Sequence, residues 1–116
     1  PAADRPALAL YRAEATPLPF RVELLERHPW SEQLFVPLGD ADWWVVVAPA
    51  RAEGPDPDAI AVFRARPGQV VVYGAGVWHY PLAPAGRADF HMAMWETGRG
   101  DDTEIAGIAV PLLVTG

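Results

Sequence analysis

The chain has 116 residues, 51% of them hydrophobic and 21% charged, which suits one packed domain over residues 1–116 and argues against disorder. Its net charge of −6 repels phosphate backbones and so argues against a nucleic-acid partner. With no cysteine there is no disulfide framework or thiolate metal site, and because all 9 basic residues are arginine, Schiff-base and lysine-base chemistry are excluded.

Thirteen prolines and 10 glycines break the chain into short segments and leave little room for long helices. In chain order, strands are expected at 7–15, 20–25, 34–38, 43–48, 59–65, 70–73, 77–82, 89–95 and 105–114, all rich in β-branched and aromatic residues. In the first, Leu8, Leu10, Arg12 and Glu14 alternate with Ala9, Tyr11 and Ala13. In the second, Val22 and Leu24 alternate with Arg21 and Glu23. The run Trp43, Trp44, Val45, Val46, Val47 has no polar side, so both faces of that strand are expected to be covered. Loops are expected at 39–40, 49–58, 66–68 and 84–86, the second being the most open. This many short strands imply a sandwich or barrel. No segment approaches the roughly 20 apolar residues that span a bilayer. Residues 1–5 lack the basic-then-apolar pattern of a signal peptide, and a cytoplasmic location is expected.

Two segments carry the residue types of a metal site. Glu26 and His28 stand two apart, with Glu32 or Gln33 a few residues on and Gly39 beyond. Further along, Gly68 and Gly76 precede His79. On a strand, residues i and i+2 share a face, so Glu26 and His28 can both look into a barrel that brings His79 opposite. Imidazole nitrogen and carboxylate oxygen suit a divalent first-row ion. The same residues have plainer readings. His28 before Pro29 reads as a loop residue, and His79 between Trp78 and Tyr80 as a hydrogen-bonded core histidine. His91 follows the alternation of Phe90 and Met92 and is a candidate to face the interior or to sit on a dimer face. The tryptophans read as core or interface residues, and Asp101, Asp102 and Glu104 as a solvated loop.

The two segments resemble the paired motifs of cupins. Glu26-Arg27-His28-Pro29, with Gln33, Phe35, Val36 and Pro37, resembles the ureidoglycolate lyase family more specifically. So do Val45-Val46-Val47, Tyr73, Val77-Trp78-His79 with Pro81-Leu82, and Asp89-Phe90, so that the likeness runs over residues 8–105. The resemblance implies an all-β, cupin jelly-roll β-barrel that forms a homodimer. It implies cleavage of ureidoglycolate to glyoxylate and urea in allantoin breakdown, with a divalent ion, nickel in the family. On that basis Glu26, His28 and His79, with Gln33 or Glu32, are the candidate metal ligands. Glu26, His28, His79 and Tyr80 are the candidate catalytic residues, and Tyr73, Trp78, Gln33 and His91 the candidate substrate contacts.

The chain also departs from the family pattern. Gly74 and Ala75 follow Tyr73 where the family has His-Arg, Tyr80 stands where it has a second His, and Met94-Trp95 replaces an Asp-Arg pair. These losses favour a second reading, a non-catalytic cupin that binds a small ligand; a third is a metal-free isomerase-like cupin. Lysis of a ureido acid needs a base for the hydroxyl proton, an acid for the leaving nitrogen, a cation for the carboxylate and a group that steadies the oxyanion. Glu26 or Glu32 is the candidate base, and Tyr80 or Tyr73 the candidate acid. For the carboxylate, Arg27 alternates away from Glu26 and His28, and Arg64 and Arg87 remain open.

Overall fold

A computed structural model describes residues 2–116. The chain runs β1 (Arg5–Ala13), β2 (Phe20–Arg27), β3 (Gln33–Leu38), β4 (Trp43–Ala48), a 3-10 turn (Pro57–Ala59), β5 (Ala61–Ala65), β6 (Val71–Tyr73), β7 (Trp78–His79), β8 (Ala83–Pro84), β9 (Ala88–Glu96) and β10 (Glu104–Val114). One sheet has the order β1-β9-β3-β6, and the other β10-β2-β7-β4-β5 with β8 beside β4. Every pairing described is antiparallel. This is an all-β sandwich, as the short strands and frequent breaks imply, and it is cupin-like, as the motif resemblance implies. No helix among the described residues is long and apolar enough to cross a membrane.

Most expected strands lie within two residues of their expected bounds, the first running over 5–13 rather than 7–15 and the second extending to residue 27, and two runs need further correction. The run at 77–82 is not one strand: β7 ends at His79, and β8 follows only at Ala83. Pro81 cannot donate to a ladder, and this break separates the two pieces. The run expected from residue 59 starts later, because the 3-10 turn, capped by Asp56 onto the Asp58 amide, occupies its beginning.

Alternation sorts the side chains into two apolar clusters. Between the sheets lie Phe35, Trp43, Val45, Tyr73, Phe90, Met92 and Met94. On the far side of the second sheet lie Phe20, Val22, Leu25, Trp44, Val46, Trp78 and Ile108. β4 therefore feeds Trp43 and Val45 to one cluster and Trp44 and Val46 to the other, and both its faces are covered.

One irregularity decides where the polar residues go. In the β2–β10 ladder Gly107 faces Leu24 and Leu112 faces Val22, so residues 108–111 bulge opposite Glu23. Ile108 of this bulge packs into the outer cluster. The buried side of β2 changes phase there, from Phe20 and Val22 to Leu25. After the slip Arg27 lies over the Trp78 ring on the outer side, and Glu26 takes the side facing the other sheet.

Candidate functional site

A cavity of about 360 Å³ opens between the sheets. Glu26 and His28 enter it from the end of β2, His79 from β7, Gln33 from the start of β3 and Tyr73 from the end of β6. Tyr11, Tyr80, Phe35, Met92, Met94 and Glu96 complete most of the wall. The register explains the convergence: Glu26 pairs with His79 across β2 and β7, while Gln33 pairs with Tyr73 on one side and Met94 on the other.

Both cavity histidines are oriented by backbone carbonyls. His79 Nδ1 lies 3.1 Å from the Val77 carbonyl, and His28 Nδ1 lies 3.1 Å from that of Asp102, with the Thr103 hydroxyl at 3.2 Å. A carbonyl only accepts, so each Nδ1 is assigned the proton and each Nε2 is left as a lone pair. His79 Nε2 is fully buried without a hydrogen-bond partner and stands 3.6 Å from the Glu26 carboxylate, just beyond a good hydrogen bond. His28 Nε2 faces Gln33 Oε1 at 2.9 Å, which places two lone-pair atoms together in this amide orientation. The loop that supplies the Asp102 carbonyl is itself tied down: Asp102 accepts from the Thr97 amide at 2.9 Å, and Trp30 donates to the Asp101 carbonyl at 3.2 Å.

Ligand atoms of Glu26, His28 and His79 all lie within 4.8 Å of one another. An orphaned imidazole nitrogen, a second nitrogen facing an oxygen and an adjacent carboxylate form a donor set that fits a divalent cation. The two carbonyl-bound Nδ1 groups are the outer-shell contacts that fix a ligating histidine.

Titration follows from this geometry. The Glu26 carboxyl is drawn below its ordinary value first by a hydrogen bond from the His79 ring, which requires the protonated imidazole in place of the neutral tautomer; burial opposes this, and the charges of His79 and His28 in that form reinforce it. Tyr73 stacks on His79 with centroids 4.1 Å apart and planes 8° from parallel. Burial, with the Glu26 charge adding, pushes the Tyr73 phenol well above its usual value, so it is protonated at neutral pH.

The structure brings five expected residues to one wall, Glu26, His28, Gln33, Tyr73 and His79; a sixth, Tyr80, borders the cavity but packs its ring on Phe20 of the outer cluster, with centroids 5.5 Å apart. Three others lie elsewhere. Trp78 alternates with His79 and is buried in the outer cluster, its indole N–H donating to the Arg51 carbonyl at 3.0 Å. Glu32 is exposed and borders a separate groove with Leu34 and Val72, because Gln33 and Phe35 take the inward positions. His91 is exposed on the outer face beside Leu10 and Val36, since Phe90 and Met92 fill the inner side of β9. Arg27 pairs with Glu104, Arg64 with Asp42 and Arg87 with Glu14, all away from the cavity. Among the described residues on the wall Arg12 is the one guanidinium, and it is paired with Asp89 at 3.0 Å.

Sequence reasoning missed Tyr11 and Glu96. Alternation offered a signal for both: Tyr11 shares a face with Ala9 and Ala13, and Glu96 continues the series Phe90, Met92, Met94.

Comparison with known proteins gives a consistent picture. The family model described as ureidoglycolate lyase matches residues 2–115. A relative in Agrobacterium fabrum is 41% identical over 116 residues, covering 97% of this chain and 70% of its own length. Ureidoglycolate lyases of Pseudomonas syringae pv. syringae and Azotobacter vinelandii are each 35% identical over 101 residues, covering 87% of this chain and 59% and 60% of theirs. The chain thus spans about 60–70% of the length of these relatives. Among solved structures, the capsular polysaccharide assembling protein CapF of Staphylococcus aureus superposes with TM-score 0.59 at 11% identity, over 90% of this chain and 27% of its own. A dTDP sugar isomerase of Desulfovibrio desulfuricans gives 0.53 at 21% identity, over 84% and 63%. At these identities the structural likeness concerns fold alone.

Proposed function

The chain belongs to the ureidoglycolate lyase family, and on that premise we propose that it cleaves ureidoglycolate to glyoxylate and urea, a step of allantoin breakdown. One observation carries this reading: Glu26, His28 and His79 place ligand atoms within 4.8 Å of one another on the wall of a cavity sized for a small acid. The family match over residues 2–115 supports treating residues 1–116 as one cupin-like unit. A cytoplasmic location belongs to the same proposal and is compatible with a cysteine-free chain.

Glu26, His28 and His79 would hold a divalent ion, nickel by family resemblance, with Gln33 Oε1 as a further oxygen donor. When bound, the ion supplies positive charge for the substrate's carboxylate and for the oxygen that becomes a carbonyl. That charge matters here because the one guanidinium on the described wall is spent on Asp89. The chain's own residues do the rest. Tyr73, kept protonated by burial, stiffens the His79 ring by stacking and is not a base. Tyr80, half-buried at the cavity edge with its ring packed on Phe20, is the candidate donor to the departing urea nitrogen. Phe35, Met92 and Met94 give the cavity an apolar side that limits water.

The direct test is incubation with ureidoglycolate and separate measurement of urea and glyoxylate. Both should appear in equal amounts, and dialysis against a chelator should stop their release until a divalent ion is restored. No product from the metal-loaded protein would end the proposal.

A homodimer forms part of the same reading. On the outer face of β1 Leu8 and Leu10 are 82% and 61% exposed, and Val70, Val72 and Trp95 extend the apolar surface across that sheet. Leu10→Glu should then convert a dimer into a monomer in sedimentation experiments; a wild type that sediments as a monomer would remove this part.

A further inference from the structure

We infer that Glu96 is the base that takes the hydroxyl proton of the substrate. The inference rests on the lyase reading above and assigns a residue to its first proton transfer. Glu26 does not serve, because its carboxylate oxygen is one of the three converging ligand atoms, and a coordinated carboxylate is withdrawn from proton transfer. Both histidines have Nδ1 committed to backbone carbonyls and Nε2 turned to the same ligand cluster. Gln33 carries no titratable proton. The remaining carboxylate on the wall is Glu96.

Its position supports the role. Glu96 ends β9 in phase with Phe90, Met92 and Met94, all of which face inward. It is half-buried, and among the described residues its carboxylate has neither an ion-pair nor a hydrogen-bond partner. The β1–β9 register sets it opposite Arg5. The Arg5 guanidinium instead lies over Gly98, where a Cβ would meet Arg5 Cζ at 2.5 Å. Only a glycine, here at φ +78, leaves room for that placement. A partly desolvated carboxylate left unpaired costs stability and recurs where a group is kept free for chemistry.

Glu96 accepts the O–H proton, and the O–H electron pair becomes the new C=O bond. The C–N pair leaves with the urea nitrogen, which takes a proton from Tyr80. Glu96 then gives its proton to solvent water and the Tyr80 oxygen takes one back from solvent, so both residues are reset.

The test uses metal-loaded protein and three variants. Glu96→Gln should lower kcat by about 10²–10⁴-fold with little change in KM and with the metal content of wild type. Glu96→Asp should recover part of the rate, and added formate should partly restore Glu96→Ala. If Glu96→Gln melts early, Glu96→Ala with and without formate decides, because a purely structural role gives no formate response. Wild-type kcat in Glu96→Gln, or a loss that formate does not relieve, would overturn the assignment while leaving the lyase reading intact. A wild type that releases no glyoxylate would overturn both.

Discussion

Phe90 and His79 are both buried between the sheets, with relative exposures of 0% and 1%, yet their surroundings differ in kind. Phe90 meets Trp43 and Phe35 edge-on, with centroids 5.1 and 6.4 Å away, although the indole N–H of Trp43 is itself buried without a hydrogen-bond partner. His79 stacks on Tyr73 and leaves Nε2 without a hydrogen bond. Phe35 belongs to both regions, packing on Phe90 and also lining the cavity. The aromatic region spends its burial on stability. What sets the polar region apart is that its unpaired nitrogen stands in a cluster of converging donor atoms, Glu26, His28 and His79, whose burial a bound cation would offset.

Mutations on the two sides should therefore separate activity from stability. His79→Ala should lower urea and glyoxylate release by roughly 10³-fold and reduce bound metal, with a modest change in melting temperature. Retained metal and turnover would show that the polar region is not the site. Phe90→Ala should give the reverse result, a loss of about 3–5 kcal/mol in urea denaturation with the folded fraction still binding metal.

A smaller effect is expected one layer out. Asp102→Ala removes the acceptor of the Thr97 amide and loosens the loop whose carbonyl orients His28. Metal affinity of the apo-protein should fall about 10-fold, and Asp102→Asn, which keeps an acceptor, should restore most of it. The smallest effect concerns acid. In the folded protein the Glu26 carboxyl is lowered from its ordinary value. Its ionised form therefore stabilises the fold above the unfolded-state pKa of about 4.3, and this contribution disappears as pH falls through the lower folded value. In chelator-treated protein, wild type should keep its advantage over Glu26→Gln down to about pH 5 and lose it progressively below that. Parallel curves for the two proteins would contradict it.

Much of this was legible in the residues. Strand composition and the proline and glycine breaks placed most of the strands, and the all-apolar run at Trp43–Ala48 announced a strand buried on both faces. The i, i+2 spacing of Glu26 and His28 and the distant His79 named the ligand atoms that do converge. The choice of Gln33 over Glu32, the outward turn of His91 and the departure of Trp78 to the other cluster were not legible. Each depends on which side of a strand faces the other sheet, and alternation alone gives two sets without saying which set is inside. Glu96 was missed because the strand was expected to end at residue 95, one short of its actual end.

The sequence by itself determined that the chain forms short strands and which side-chain chemistries it offers. Tertiary structure decided which of those side chains meet. The side-chain period of a strand is two, so a shift by one residue exchanges the faces. In β2 that shift comes at Glu23, opposite residues 108–111, a segment far along the chain whose bulge turns Glu26 toward the cavity.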